Sequence, residues 1–161
     1  MLVYNRIQEA LDRFEEAKTS KRKVSVSEIA RKYGFAHGSL VDDPKKVHSR
    51  FKLYIYDVFK YERYACSFPL AWKYREVWIY GVPDLVVFEN GVPIEIWEVK
   101  TYSKHRKGEV VQLQLYGWLT KQNFDVIPRL ILALGFRNWR NYQTLDYDYN
   151  EKFVLDILKD I

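Results

Sequence analysis

The stretch that decides the fold runs VWIYGVPDLVVFENGVPIEIWEVK, from Val77 to Lys100. It holds two apolar runs, Val77 to Phe88 and Val92 to Lys100, both rich in β-branched residues and joined by Glu89-Asn90-Gly91. That pattern reads as a β-hairpin, with Gly81-Val82-Pro83 disturbing the first half of the first run. Three charged residues stand where the hairpin should be dry: Asp84 before Leu85-Val86-Val87-Phe88, and Glu98 and Lys100 at the end of the second run. Inside a covered sheet an ionised carboxylate costs on the order of several kcal/mol unless it is paired or binds a metal. The three groups need a shared reason.

Strand geometry supplies one. Side chains repeat every two residues, so Glu98 and Lys100 share a face. Asp84 joins them if the pairing sum across the hairpin is even. A three-residue loop at Glu89-Asn90-Gly91, with Gly91 in the left-handed region, pairs Phe88 with Val92, gives that parity and sets Asp84 opposite Ile96. Two neighbouring carboxylates repel, and a hard cation such as Mg²⁺ or Mn²⁺ between them relieves the repulsion. A lysine beside that ion can orient or help deprotonate an attacking water, or stabilise charge building on a phosphate. This is phosphodiester hydrolysis chemistry. The structural alternative is an Asp–Lys–Glu salt-bridge cluster at a sheet edge.

Gly81-Val82-Pro83-Asp84, thirteen intervening residues, then Glu98-Val99-Lys100 resembles the signature of the PD-(D/E)XK nuclease superfamily. Gln112-Leu113-Gln114-Leu115-Tyr116 resembles the Gln-x-x-x-Tyr motif of its RecB-like branch, found on the helix after the catalytic strand. The resemblance implies a restriction-endonuclease-like core and metal ligation by Asp84, Glu98 and the Val99 carbonyl. It implies catalytic roles for Asp84, Glu98, Lys100, Gln112 and Tyr116. Gln112 and Tyr116 lie one helical turn apart on one face, and Gln114 projects elsewhere. RecB-like nucleases, including CRISPR-associated ones, often take a further ligand from a helix before the hairpin, and His48 occupies the matching place. Glu62 is its rival, with solvent a third option; His48 is otherwise part of a basic face. The four cysteines that hold an iron–sulfur cluster in several relatives are missing, so no such cluster is expected.

Outward from the hairpin, helical spacing predicts helices over residues 4–18, 25–34, 45–60, 109–122 and 151 to the end. A buried strand fits Ile127 to Phe136, and 137–149 reads as a polar aromatic loop. The order points to an α/β class bordering α+β, a central mixed sheet flanked by helices. Residues 1–44 form an N-terminal helical segment and 45–161 the core. The 25–34 helix resembles the second helix of a helix-turn-helix, although Ser25-x-x-Glu28 serves equally as an ordinary N-cap and Pro44 breaks the place where a recognition helix would continue.

The 161 residues suit one compact domain, and with 26 Lys+Arg against 21 Asp+Glu the net charge of +5 leans weakly toward a polyanion. A divalent-metal-dependent DNA nuclease is the leading expectation, acting on single-stranded DNA or DNA ends rather than a sequence-specific duplex. A junction resolvase or restriction-type enzyme and an inactive DNA-binding protein are the alternatives. Oligomeric state stays open, a dimer included. Lys104, His105, Arg106 and Lys107 form a basic loop suited to phosphates, and Arg137 and Arg140, with Trp139 and Tyr142, offer cations and stacking faces. No run approaches the roughly 20 apolar residues of a membrane span, and no signal peptide is read, so an intracellular, soluble protein is expected. The single cysteine, Cys66, reads as a buried small side chain.

Overall fold

The computed structural model describes residues 2–34, 61–104 and 107–161. The fold is α/β: a three-stranded and a five-stranded sheet with four described helices. In chain order the elements are α1 (Leu2–Thr19), β1 (Lys23–Ser25), α2 (Val26–Arg31), β2 (Arg63–Cys66), β3 (Leu70–Tyr74) and β4 (Val77–Gly81). Next come β5 (Leu85–Glu89), β6 (Val92–Val99), α3 (Lys107–Phe124), β7 (Arg129–Asn138), β8 (Asn141–Tyr147) and α4 (Glu151–Leu158). The expected helix over 45–60 lies outside the described residues.

The apolar run from Val77 to Phe88 is not one strand. It breaks at Val82-Pro83-Asp84, and its halves enter different sheets: β4 joins the small sheet, order β1-β4-β3, and β5 joins the large one, order β2-β5-β6-β7-β8. Val82 and Pro83 cross between them; proline has no N–H for a ladder. The expected single central sheet is therefore two sheets.

The hairpin between β5 and β6 also differs from expectation. Glu89 pairs with Val92, so the turn is the two-residue Asn90-Gly91, with φ of 50° and 80°. Both positive values fit a type I′ turn, the usual partner of twisted antiparallel strands. The register then slips between Val87 and Phe88: Phe88 opposes Pro93 and Val87 opposes Glu95, leaving Ile94 as a bulge. The turn makes the pairing sum odd and the bulge makes it even again. Val86 now opposes Ile96, and the same register carried two residues further sets Asp84 level with Glu98, not Ile96.

β6 runs parallel to β7, which turns back antiparallel into β8 (Asn141–Tyr147), the strand that replaces the expected loop over 137–149. Most of β8 is exposed, so it carries little apolar alternation to announce it. Buried residues lie on every side of α3, which packs against β3, β6 and β7 and against the other three helices. A helix enclosed in this way needs no polar face. Ile7, Ala10 and Leu11 of α1 and Val26, Ile29 and Ala30 of α2 share its core. The first 34 residues thus include a strand, β1, paired parallel to β4. Cys66 is half-buried against that core, and burial pushes its thiol up to about 12.

Candidate active site

Asp84 sits at the entry to β5, its backbone carbonyl accepting a hydrogen bond from Ser67 Oγ at 2.6 Å. Its Oδ2 accepts the Val99 N–H at 2.8 Å, tying the carboxylate to the last residue of β6. Glu98 projects from β6 on the face that carries Ile96 into the core. Lys100 follows two residues later on the same side. Its backbone is clamped to β7 from both ends: Lys100 N–H donates to Ala133 O at 2.8 Å, and Phe136 N–H donates to Lys100 O at 2.9 Å. Asp84, Glu98 and Lys100 are 3%, 1% and 0% exposed, so the three charges sit inside the protein.

Lys100 Nζ lies 3.9 Å from Glu98 Oε2, an ion pair too long for a hydrogen bond. No well-formed hydrogen bond satisfies either Glu98 oxygen among the described residues; the Asp84 backbone N–H makes only a weaker contact with the carboxyl. Its carboxyl is held well above the ordinary carboxylate range, first by burial and then by the charge of Asp84, with carboxyl-to-carboxyl contact adding to the rise; Lys100 and the Asp84 backbone N–H pull the other way. Two carboxyls thus face one ammonium, with the buried oxygens of Glu98 left for another positive partner.

The donor set fits a hard divalent cation. Carboxylate and carbonyl oxygens suit Mg²⁺ and Mn²⁺. In a strand, a residue's N–H and C=O point to the same flank. Because the Val99 N–H meets Asp84, the Val99 carbonyl also lies on Asp84's flank, beyond the end of β5. No group of three or more His, Cys, Asp or Glu side chains gathers among the described residues. The third protein oxygen would be that carbonyl.

α3 brings Gln112 and Tyr116 to the same cluster. Both are buried. Gln112 and the Val82 N–H stand against the Tyr116 hydroxyl oxygen. Burial, then the charges of Glu98 and Asp84, hold the phenol well above its usual value, while Gln112 and the Val82 N–H both pull it down. Gln112 Oε1 is buried without a hydrogen-bond partner among the described residues. Gly81 makes the approach possible: a Cβ there would lie 2.9 Å from both Tyr116 Cε1 and its hydroxyl oxygen, and 3.2 Å from Val26 Cβ. The close approach of Gly81 and the two backbone contacts from Val82 and Val99 are the functional features that sequence reasoning missed. The only signal was a glycine and a proline interrupting a β-rich run.

No protein-family model and no curated protein matches the chain. Among solved structures, the crystal structure of SSO0001 aligns with 99% of this chain and 84% of its own, at a TM-score of 0.50 and 14% identity. The chain is similar to SSO0001 in fold. At that identity the likeness carries nothing about chemistry.

The remaining expected residues divide cleanly. His48, His105 and Arg106 lie outside the described residues. Glu62 is exposed, and its carbonyl accepts the Asn90 N–H at 2.7 Å, which places it beside the hairpin turn. That is the far end of β6 from Glu98, roughly 20 Å away at about 3.3 Å per residue, so Glu62 is not a ligand of this cluster. Gln114 is used structurally, donating to Asp148 O and accepting the Asn150 N–H, each at 2.8 Å. Lys104 and Lys107 are exposed before and at the start of α3, Lys107 Nζ standing 5.2 Å over the Tyr33 ring. Arg137 and Arg140 are exposed at the β7–β8 turn. α2 turns Val26, Ile29 and Ala30 inward, and Ser25 and Glu28 form a capping box at its start. No described helix is long and apolar enough to cross a membrane.

Proposed function

We propose that this chain is a metal-dependent DNA nuclease that hydrolyses phosphodiester bonds, of the PD-(D/E)XK type and its RecB-like branch. One observation carries the reading: Asp84, Glu98 and Lys100 are buried together, with Gln112 and Tyr116 against them and the Glu98 oxygens making no well-formed hydrogen bond among the described residues. A cluster kept only for stability would be expected to saturate its hydrogen bonds.

Asp84, Glu98 and the Val99 carbonyl would hold the cation. Bound there, Mg²⁺ or Mn²⁺ supplies Lewis acidity toward a phosphoryl oxygen and lowers the pKa of a nearby water. Lys100, fixed by two backbone bonds to β7, orients the attacking water and offsets charge on the phosphate. Tyr116 donates its proton toward the reacting centre while Gln112 and Val82 fix its oxygen. The cluster is closed to solvent, so a phosphate must displace covering groups to enter, and the exclusion of water strengthens each of these interactions.

The test is cleavage of end-labelled linear and circular DNA, single- and double-stranded, with Mn²⁺ or with EDTA. EDTA is expected to abolish cleavage. Asp84→Ala, Glu98→Ala and Lys100→Ala should each reduce it by at least about 100-fold, as when one member of a cooperating site is lost. Full activity in Glu98→Ala would remove the mechanism.

A further inference from the structure

Four aromatic rings form a block at the end of β7. Phe136 and Trp139 centroids are 4.9 Å apart, and Trp139 lies 6.0 Å from Tyr142 and 6.5 Å from Trp97, each pair nearly edge to face. Trp139 is nevertheless 53% exposed. It stands in the two-residue turn Trp139-Arg140, a position that ordinarily takes Gly, Asn or Asp. Asn138 does the turn's polar work instead, its Oδ1 accepting Arg140 N–H at 2.8 Å and Asn141 Nδ2 at 3.2 Å. The indole is therefore braced from behind and open in front.

The charges around it point to an anion. Arg63 and Arg129, elsewhere on this sheet, pair with Glu89, Glu95 and Asp146. Arg137 and Arg140 flank Trp139 and make no ion pair with any described carboxylate.

The block is also tied to the catalytic strand. Gly135, at φ 62°, begins a register slip of β7 against β8 between Leu134 and Asn138. The slip turns Gly135 N–H onto Tyr102 O at 2.8 Å and Phe136 N–H onto Lys100 O. A cleft lined by Ser103, Leu134, Gly135, Arg140 and Tyr142 adjoins it.

We propose that Trp139, braced by Phe136, Tyr142 and Trp97, is a base-stacking platform for single-stranded DNA, with Arg137 and Arg140 taking the adjoining phosphates. Every base has a π-face, so the platform is sequence-tolerant. A duplex keeps its base faces stacked and offers the indole nothing comparable. The proposal rests on the nuclease reading only for what happens to the strand once bound.

The experiment measures binding of fluorescent oligo-dT in EDTA, by anisotropy, with the full chain. Trp139→Ala should raise Kd about tenfold and Trp139→Phe should recover most of the loss. The double variant Arg137→Gln/Arg140→Gln should reduce the slope of log affinity against log salt by about 1.4, roughly 0.7 for each single-strand phosphate contact. Blunt duplex binding should be indifferent to Trp139. An unchanged Kd for oligo-dT in a Trp139→Ala protein with the parent's circular dichroism would overturn the platform. So would equal weakening for single strand and duplex. Cleavage in Mn²⁺ is read separately on the same proteins. Trp139-dependent binding without any cleavage removes the nuclease and leaves the platform; cleavage with Trp139-independent binding does the reverse.

Discussion

Glu98→Gln separates a functional cluster from a structural one, because the two make opposite predictions for the metal-free protein. The substitution keeps volume and removes one charge. In the parent, two carboxyls face one ammonium, so the buried cluster carries an excess negative charge when Glu98 is ionised. The attraction that is lost is bounded by Coulomb's law: at 3.9 Å and an effective dielectric of about 20, the Lys100–Glu98 pair is worth about 4 kcal/mol. Against it stand the desolvation of Glu98, several kcal/mol for an ion this deeply buried, and the repulsion from Asp84. Removing the charge leaves Asp84 and Lys100 balanced. The expected result is a variant as stable as the parent without metal, or more stable by up to about 2 kcal/mol. For a domain of this size that is a rise in Tm of up to roughly 4–8 °C. Excess Mn²⁺ should then stabilise the parent alone, by about 2.7 kcal/mol at a hundred times Kd. Calorimetry with and without Mn²⁺ measures both arms. A loss of about 3–5 kcal/mol in metal-free Glu98→Gln would mean that the pair holds the fold together, and the functional reading of the cluster would fail.

The same geometry sets two further outcomes. Because the folded-state pKa of Glu98 is raised, it contributes stability below the ordinary carboxylate range that is lost as pH rises through its folded value. Metal affinity runs the opposite way, since the proton must leave: Mn²⁺ titrations should tighten as pH rises from that range, and Glu98→Gln should flatten both profiles. Pressing a methyl group against Tyr116 is the second perturbation. Gly81→Ala should cost about 1–3 kcal/mol and lower cleavage in step with Tyr116→Phe, whereas an unmoved Tm would show that the ring has room to yield.

The hairpin is legible in the sequence because alternation and β-branched residues over Leu85 to Val99 survive any error in the turn. The turn itself is shorter than the three-residue reading, although Asn90-Gly91 is the strongest short signal for a two-residue hairpin. The face assignment nevertheless holds, because Pro93 and Ile94 introduce the bulge that restores even parity. β8 escapes sequence reading for a physical reason: an exposed edge strand buries neither face, so Asn141 to Tyr147 reads as a polar loop. The short strands β1 and β2 (three and four residues) take their identity from distant partners, β4 and β5, and local patterning does not encode that. β3 pairs instead with β4 across the two-residue turn Arg75-Glu76, whose residues are not the Gly, Asn or Asp that ordinarily announce it. Asp84, Glu98 and Lys100 are visible because each is polar where its surroundings are apolar, and Gln112 and Tyr116 are visible through the resemblance of their spacing to the Gln-x-x-x-Tyr motif. Gly81 and the backbone groups of Val82 and Val99 are not, since a missing side chain and a peptide N–H leave no mark on composition.

What joins these features is the passage of the chain from one sheet to the other. β4 ends at Gly81, whose absent side chain admits Tyr116 from α3. Val82 gives its N–H to the tyrosine oxygen, and Pro83 has none to give to a ladder. Asp84 arrives at the start of β5 with its carboxylate on the Val99 N–H. Four consecutive residues thus connect the small sheet, the central helix and β6. The crossing forces an irregular backbone into the protein interior, where unpaired polar groups are costly. Turning the Val82 N–H toward Tyr116 and pairing the Asp84 carbonyl with Ser67 Oγ resolves the cost locally, and the Asp84 carboxylate on the Val99 N–H brings the acidic pair into register. The interruption that weakens Gly81-Val82-Pro83-Asp84 as a strand is therefore what equips it as one wall of the site.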